Sequence, residues 1–188
     1  MHMPVTQRHW TAGTVRALPD DGNRYELIDG ELLVTPAPRG SHQRAVGELY
    51  YRLRLYLEQE RVGEAVTSPA DIELEPDTIV QPDIFVVPLS GGKAWKEWLD
   101  IKDLLVACEV LSPSTARYDR VTKRRFFSRT RVLEYWVADL DGELFERTLH
   151  GDEKVEVISE ELIWHPAGAV APFVLDVRAF FQRVRGGS

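Results

Sequence analysis

The chain has 188 residues, 44% of them hydrophobic, with a formal charge of −7 and a single cysteine; that length supports one substantial core and falls short of two ordinary domains. No apolar run reaches the roughly 18 to 20 residues that cross a bilayer, and the opening residues lack the apolar stretch of a signal peptide, so a cytoplasmic protein with no membrane partner is expected. The lone Cys108 excludes an intramolecular disulfide and is read as a buried reduced thiol, while the acidic balance argues at first against nucleic acid.

Residues 1–23 read as an N-terminal extension of a single domain whose core runs over 24–182. Tyr25 to Thr35 (YELIDGELLVT) holds two β-favouring runs around Asp29-Gly30, a strong hairpin signal. Ser41 to Gln59 reads as a helix: Val46, Leu49, Tyr50, Leu53, Tyr56 and Leu57 recur at three- and four-residue spacings, Ser41 is placed as its N-cap, and Glu48 falls on the solvated side. Short strands are predicted over Ala65 to Ser68 and Asp71 to Leu74, and a third begins just after Pro82-Asp83. Ser90 to Asp100 reads as a loop that carries Trp95 and Trp98. LLVACEVL, Leu104 to Leu111, is a buried strand, followed by a helix from about Ala116 to Arg129 capped near Ser114 or Thr115. Strands over Glu134 to Ala138, Glu143 to Thr148 and Lys154 to Ile158, with turns at Asp141-Gly142 and Gly151-Asp152, precede a short helix from Asp176 to Val184. The order is that of an α+β fold, a mixed β-sheet flanked by α-helices.

One residue in this series demands an explanation. Glu109 lies inside an apolar strand, where an ionised carboxylate without a partner costs several kcal/mol. It must therefore be paired with a cation, protonated, or holding a metal. Asp83, at the mouth of the preceding strong strand, is 26 residues earlier. Strands lie about 4.8 Å apart, so two acids on one sheet face can converge on a divalent cation. Alternation sets Glu109 and Leu111 on one face and Cys108 and Val110 on the other. Asp119 and Lys123, four apart, share a face of the helix returning over that strand, where a lysine beside a metal could orient water or stabilise developing charge. Taken singly each has a plainer reading: a helix-surface ion pair for Asp119 and Lys123, neutralisation by Arg120 or Arg124 for Glu109, a turn cap for Asp83.

The stretch Arg117 to Arg131 holds seven Lys or Arg and one Asp in an otherwise acidic chain. It is either a solvated helix face or a positive field that draws a phosphate backbone to the cavity, with Arg120, Arg124, Arg125 and Arg129 as the contacts. No zinc finger or helix-turn-helix with a polar recognition face is visible, and no base preference can be read.

Pro82-Asp83 followed by Glu109 resembles the signature of the PD-(D/E)XK nuclease superfamily. QPDIFVV, CEVLSPST, Asp119 with Lys123, and LEYWVAD, together with RYELIDGEL and His42, are similar to the bacterial Uma-type family of restriction-endonuclease-like proteins, over about residues 24 to 182. The resemblance implies a restriction-endonuclease-like core with Asp83 and Glu109 as ligands of Mg²⁺ or Mn²⁺ and the Val110 carbonyl as a third. The superfamily's usual lysine would fall on Leu111, which cannot serve; in this family it moves to the next helix, here Lys123, with Asp119 either orienting it or adding an outer contact. Glu31 and His42 are accessory candidates: Glu31 either faces the metal or is a plain surface residue of the hairpin, and His42 either contacts phosphate or water or is an exposed or capping histidine. Two positions depart from the family pattern: Phe127 stands where an aromatic hydroxyl is common, and Arg131 where glycine is.

The resulting expectation is a metal-dependent endonuclease acting on DNA. Its alternatives are a catalytically inactive nuclease fold that binds DNA or protein, and a phosphohydrolase of small nucleotides. The LFERTL and VEVIS strands, with Trp95 and Trp98, offer surfaces for a homodimer.

Overall fold

The computed structural model describes residues 10–35, 40–89, 101–152 and 154–186. The predicted loop with Trp95 and Trp98 lies outside the described residues. Helix α1 (Ala12–Arg16) precedes strands β1 (Arg24–Ile28) and β2 (Glu31–Thr35), and the long helix α2 (Gly40–Glu60) leads to β3 (Gly63–Thr67), β4 (Ile84–Pro88) and β5 (Leu104–Val110). A composite helical segment follows: α3 (Ala116–Tyr118), a π-helical turn over Asp119–Lys123, and α4 (Arg124–Arg129). Strands β6 (Val132–Asp139), β7 (Leu144–Leu149), β8 (Glu156–Ile158), β9 (Glu161–Trp164) and β10 (Phe173–Asp176) and helix α5 (Val177–Val184) complete the chain.

Six strands form one mixed sheet in the order β3-β4-β5-β6-β7-β8, all neighbours antiparallel except β5 and β6. A parallel pair needs a crossover, and α3 through α4 supply it, which holds the π turn over the carboxyl ends of β5 and β6. The fold is α+β with a mixed sheet between helices, as expected. On one face α2 lays Ala45, Val46, Leu49, Leu53 and Leu57 against Val86, Val106, Cys108, Val110 and Trp136, with α5 beside it. Each fully buried leucine of that stripe contributes about 1.5–3 kcal/mol. On the other face Phe126 and Phe127 of α4 pack with Phe85, Ala107, Leu111, Tyr135 and Val137.

The β1–β2 hairpin turns through Asp29 (φ 53°) and Gly30 (φ 77°), both left-handed, which is what a two-residue hairpin of this hand needs. It is joined to the segment before β4 by the paired bonds of Leu27 with Ile79, while α1 lays Ala12 and Val15 on Leu27 and Ile79.

Several expectations require correction. Asp71 to Leu74 is not a strand: only Ile72 bridges Val80, because Glu75, Pro76 and Asp77 turn the chain back at once. Ser41 is the second residue of α2 and so not its N-cap. The pair β9 and β10 is an addition, hidden by strands of only four residues. Phe127 is buried against Tyr135, ring centroids 4.9 Å apart, and α4 ends on Thr130 in extended backbone, so no left-handed residue is required at Arg131. Cys108 is a buried free thiol. Among the described residues no helix is long and apolar enough to cross a membrane.

Candidate active site

Strands β4 and β5 pair with Ile84 opposite Cys108 and Phe85 opposite Ala107. Carrying that antiparallel register one residue further sets Asp83 opposite Glu109. Directly opposed residues point to the same face with Cβ atoms about 4.5–5.5 Å apart, and like charges so placed repel. The two acids face the α3–α4 side, with Phe85 and Ala107, over a cavity of about 490 Å³.

The two carboxylates are supplied very differently. Asp83 Oδ2 accepts the backbone N–H of Val110 at 2.9 Å and faces His42 Nε2 at 2.9 Å; Oδ1 accepts Arg24 Nη1 at 2.8 Å. Burial alone would raise its pKa, but the His42 contact, the Arg24 charge and the Val110 N–H overcome that and hold Asp83 well below the usual carboxylate range. Among the described residues the Glu109 carboxylate has one hydrogen-bonding partner, Lys123 Nζ at 2.7 Å from Oε1. Burial pushes its pKa up, Lys123 opposes the rise, and the neighbouring Asp83, Asp119 and Glu26 add to it.

Lys123 is 2% exposed. Its ammonium lies 2.7 Å from both Glu26 Oε2 and Glu109 Oε1, and 3.7 Å from Asp119 Oδ1. Burial alone would lower its pKa, and these three acids reverse that and raise it well above the ordinary lysine value. The π turn presents Asp119 and Lys123 inward, and Tyr135 Oη donates to the Asp119 carbonyl at 3.1 Å, pinning the widened turn to β6. Such turns concentrate at functional sites. Burial raises the Asp119 pKa against the charge of Lys123.

Asp83, Glu109, Asp119, Lys123, Val110 and His42 thus line one cavity. Glu31 does not. It shares the hairpin face with Glu26 but sits beside Ile28 at the turn end, about 7 Å further along the strand, and is exposed. The buried hairpin acid is Glu26, whose Oε1 accepts the Gln81 N–H at 2.8 Å. Two of the four arginines expected to contact phosphate are engaged elsewhere: Arg120 with Asp139 and Glu146, Arg129 with Asp29 and Glu75. Arg124 and Arg125 form no ion pair among the described residues and do not line the cavity. Sequence reasoning missed Arg24 altogether and gave Glu26 no role. The available signal was alternation along β1, which sets Arg24, Glu26 and Ile28 on one side. His42 carried a stronger signal, falling four residues before Val46 on the buried stripe of α2.

Four carboxylates (Glu26, Asp83, Glu109 and Asp119) meet two fixed cations (Arg24 and Lys123), leaving two uncompensated negative charges when all the acids are ionised. The donor set is all oxygen, which suits a hard divalent cation such as Mg²⁺ or Mn²⁺. Glu109 Oε2 makes no hydrogen bond among the described residues, and Val110, whose carbonyl is the expected third ligand, lines the same space. Among the described residues no three acidic, histidine or cysteine side chains already form a metal cage, since Lys123 lies between Glu26 and Glu109 while Arg24 and His42 cover Asp83.

A family model described as "Uma2: Putative restriction endonuclease" matches residues 13–165, most of the chain. The chain belongs to the Uma2 family. The fold of this Uma2 member is shared with a crystal structure from Anabaena variabilis ATCC 29413 described as a putative nuclease belonging to DUF820. The TM-score is 0.74 with 19% identity, over 93% of this chain and 99% of that one. No protein with a curated description matches the sequence.

Proposed function

We propose that the protein is a divalent-metal-dependent endonuclease that hydrolyses phosphodiester bonds, with DNA as its substrate. The observation that carries this reading is the opposition of Asp83 and Glu109 on β4 and β5, with the Lys123 ammonium 2.7 Å from Glu109. Membership of the Uma2 family supports the nuclease class.

Asp83, Glu109 and the Val110 carbonyl would hold Mg²⁺ or Mn²⁺, which when bound makes water a better nucleophile and offsets charge on the phosphate. The chain's own residues prepare that site. Val110 N–H, His42 and Arg24 orient Asp83 and keep it ionised. Glu26 and Asp119 steer the Lys123 ammonium toward Glu109. Because its pKa is raised, Lys123 stays protonated and serves as a donor to the attacking water or to a phosphate oxygen, not as the base. Arg124 and Arg125 would contact the flanking backbone.

Incubating the protein with plasmid DNA and Mn²⁺ should give nicked and linear products that EDTA abolishes. Asp83→Ala should lower the initial rate by more than about 100-fold, since even outer partners of metal ligands cost roughly 10- to 100-fold. Cleavage that survives this substitution counts against the assigned site.

A second reading draws on one observation: Asp83, Glu109 and Lys123 are each no more than 3% exposed. An enclosed floor suits a small nucleotide better than a long duplex. Comparing hydrolysis of a nucleotide p-nitrophenyl ester with that of an oligonucleotide at equal concentration separates the two.

A further inference from the structure

Three side chains that can carry positive charge line the cavity: Arg24, His42 and Lys123. A phosphodiester entering it meets an excess of carboxylates, so its anionic oxygens need a cation whose donors are not already used. Lys123 is surrounded by Glu26, Glu109 and Asp119. His42 turns Nε2 to Asp83, and its Nδ1, which has no hydrogen-bond partner among the described residues, is buried away from an entering ligand.

Arg24 differs from both. Among the described residues only Nη1 of its guanidinium is engaged, with Asp83 Oδ1 at 2.8 Å and the Gln81 carbonyl at 3.3 Å. A guanidinium carries five N–H donors, so Nε and Nη2 retain three that have no acceptor among the described residues. The side chain is 22% exposed and lines the cavity beside Thr35, its partner across the open end of the hairpin. Its planar fork matches two oxygens of a phosphate, and its charge does not titrate in the working range.

We propose that Arg24 is a substrate-binding residue, its Nε–H and Nη2–H receiving the non-bridging oxygens of the scissile phosphodiester while Nη1 stays on Asp83. One guanidinium then ties the phosphate to a carboxylate of the proposed metal site and sets the distance between them. The inference rests on the phosphodiesterase reading and names the residue that recognises the substrate, a role the basic helix was expected to fill.

The test uses the full chain and a fluorescein-labelled oligonucleotide, with affinity read by anisotropy in Ca²⁺ across a salt series, KM and kcat measured in Mn²⁺, and Mn²⁺ affinity measured by calorimetry without DNA. Losing a charge-assisted fork weakens a complex by about tenfold or more. Arg24→Gln should therefore raise the oligonucleotide Kd and KM by at least that factor. With a duplex oligonucleotide it should also reduce the slope of log K against log salt by about 0.9, one phosphate contact. Mn²⁺ affinity should stay near that of the parent, because Gln can still donate to Asp83. Arg24→Lys, which keeps a cation on Asp83, should restore the salt slope and leave KM raised; it carries the test should Arg24→Gln fail to fold by circular dichroism. Arg54→Gln, an exposed change on α2, should match the parent throughout. Parental KM and salt slope in Arg24→Gln, or a loss that follows Mn²⁺ affinity alone, would overturn the role of Arg24 while the nuclease reading stands. A parent protein that neither binds nor cleaves the oligonucleotide in any divalent metal would overturn both.

Discussion

Asp83 and Glu109 occupy opposed positions on neighbouring strands and are equally buried, yet their surroundings push them in opposite directions. Asp83 receives a backbone N–H, an imidazole and a guanidinium, so its charge is well solvated by the protein. Glu109 receives one ammonium, shared with Glu26 and Asp119, and stands among like charges. The difference lies in what surrounds the strands, since hairpin, α2 and the β5 terminus all send donors to Asp83 while the π turn brings Glu109 one cation and a further acid. Two acids with pKa values driven apart are a recurring mark of assigned roles in a site. Here Asp83 is the acid whose charge its neighbours favour, and Glu109 the acid whose charge they leave less compensated.

The severest way to break this contrast is to remove the cation that Glu109 depends on. Lys123→Met leaves Glu26 and Glu109 buried without compensation and should cost about 3–5 kcal/mol in urea denaturation at pH 7. The loss should shrink in acid as the carboxylates take up protons.

Conservative amides sharpen the contrast because they should act with opposite sign. Asp83→Asn deprives donors of a charged acceptor and should cost about 1–3 kcal/mol near neutral pH. The stabilisation that Asp83 supplies is present above its unfolded-state pKa and is lost as pH falls through its lower folded value. Glu109 works in reverse: with its folded pKa above the ordinary 4.5, the native state binds more protons than the unfolded chain, so stability falls as pH rises past that point. Glu109→Gln should therefore raise stability at pH 7–8 by about 0.5–2 kcal/mol, as other relieved active-site strains do, and flatten thermal melting between pH 5 and 8. A destabilised Glu109→Gln would show that the Lys123 contact outweighs the crowding of acids.

The smallest effect should come from the outer arginines. Arg129→Gln breaks an exposed contact with Asp29 and Glu75 and should change stability by about 0.2–1 kcal/mol, with the Asp83 and Glu109 behaviour unaltered.

The sheet, its two packed helices and the acids Asp83 and Glu109 were legible in the sequence because they follow strict periods: alternation along β4 and β5, and three- and four-residue spacing along α2 and the crossover. The i, i+4 step from Asp119 to Lys123 survives in the π turn, so their shared face was legible too. Arg24 and Glu26 were not, because the hairpin reaches the site only through contacts more than fifty residues apart, such as Gln81 N–H with Glu26 and Leu27 with Ile79. The same limit applied to the basic run. A charge count shows seven cations, but not that Asp139 and Glu146 hold Arg120 or that Asp29 and Glu75 hold Arg129.

The most direct test of the account is a crystal of the protein soaked in Mn²⁺ and examined for anomalous scattering. The account predicts one strong peak shared by the Asp83 and Glu109 carboxylates, with Lys123 still inside the cavity, and no such peak in Asp83→Ala. A parent crystal with no peak between those two acids, or with manganese bound only elsewhere, would contradict it.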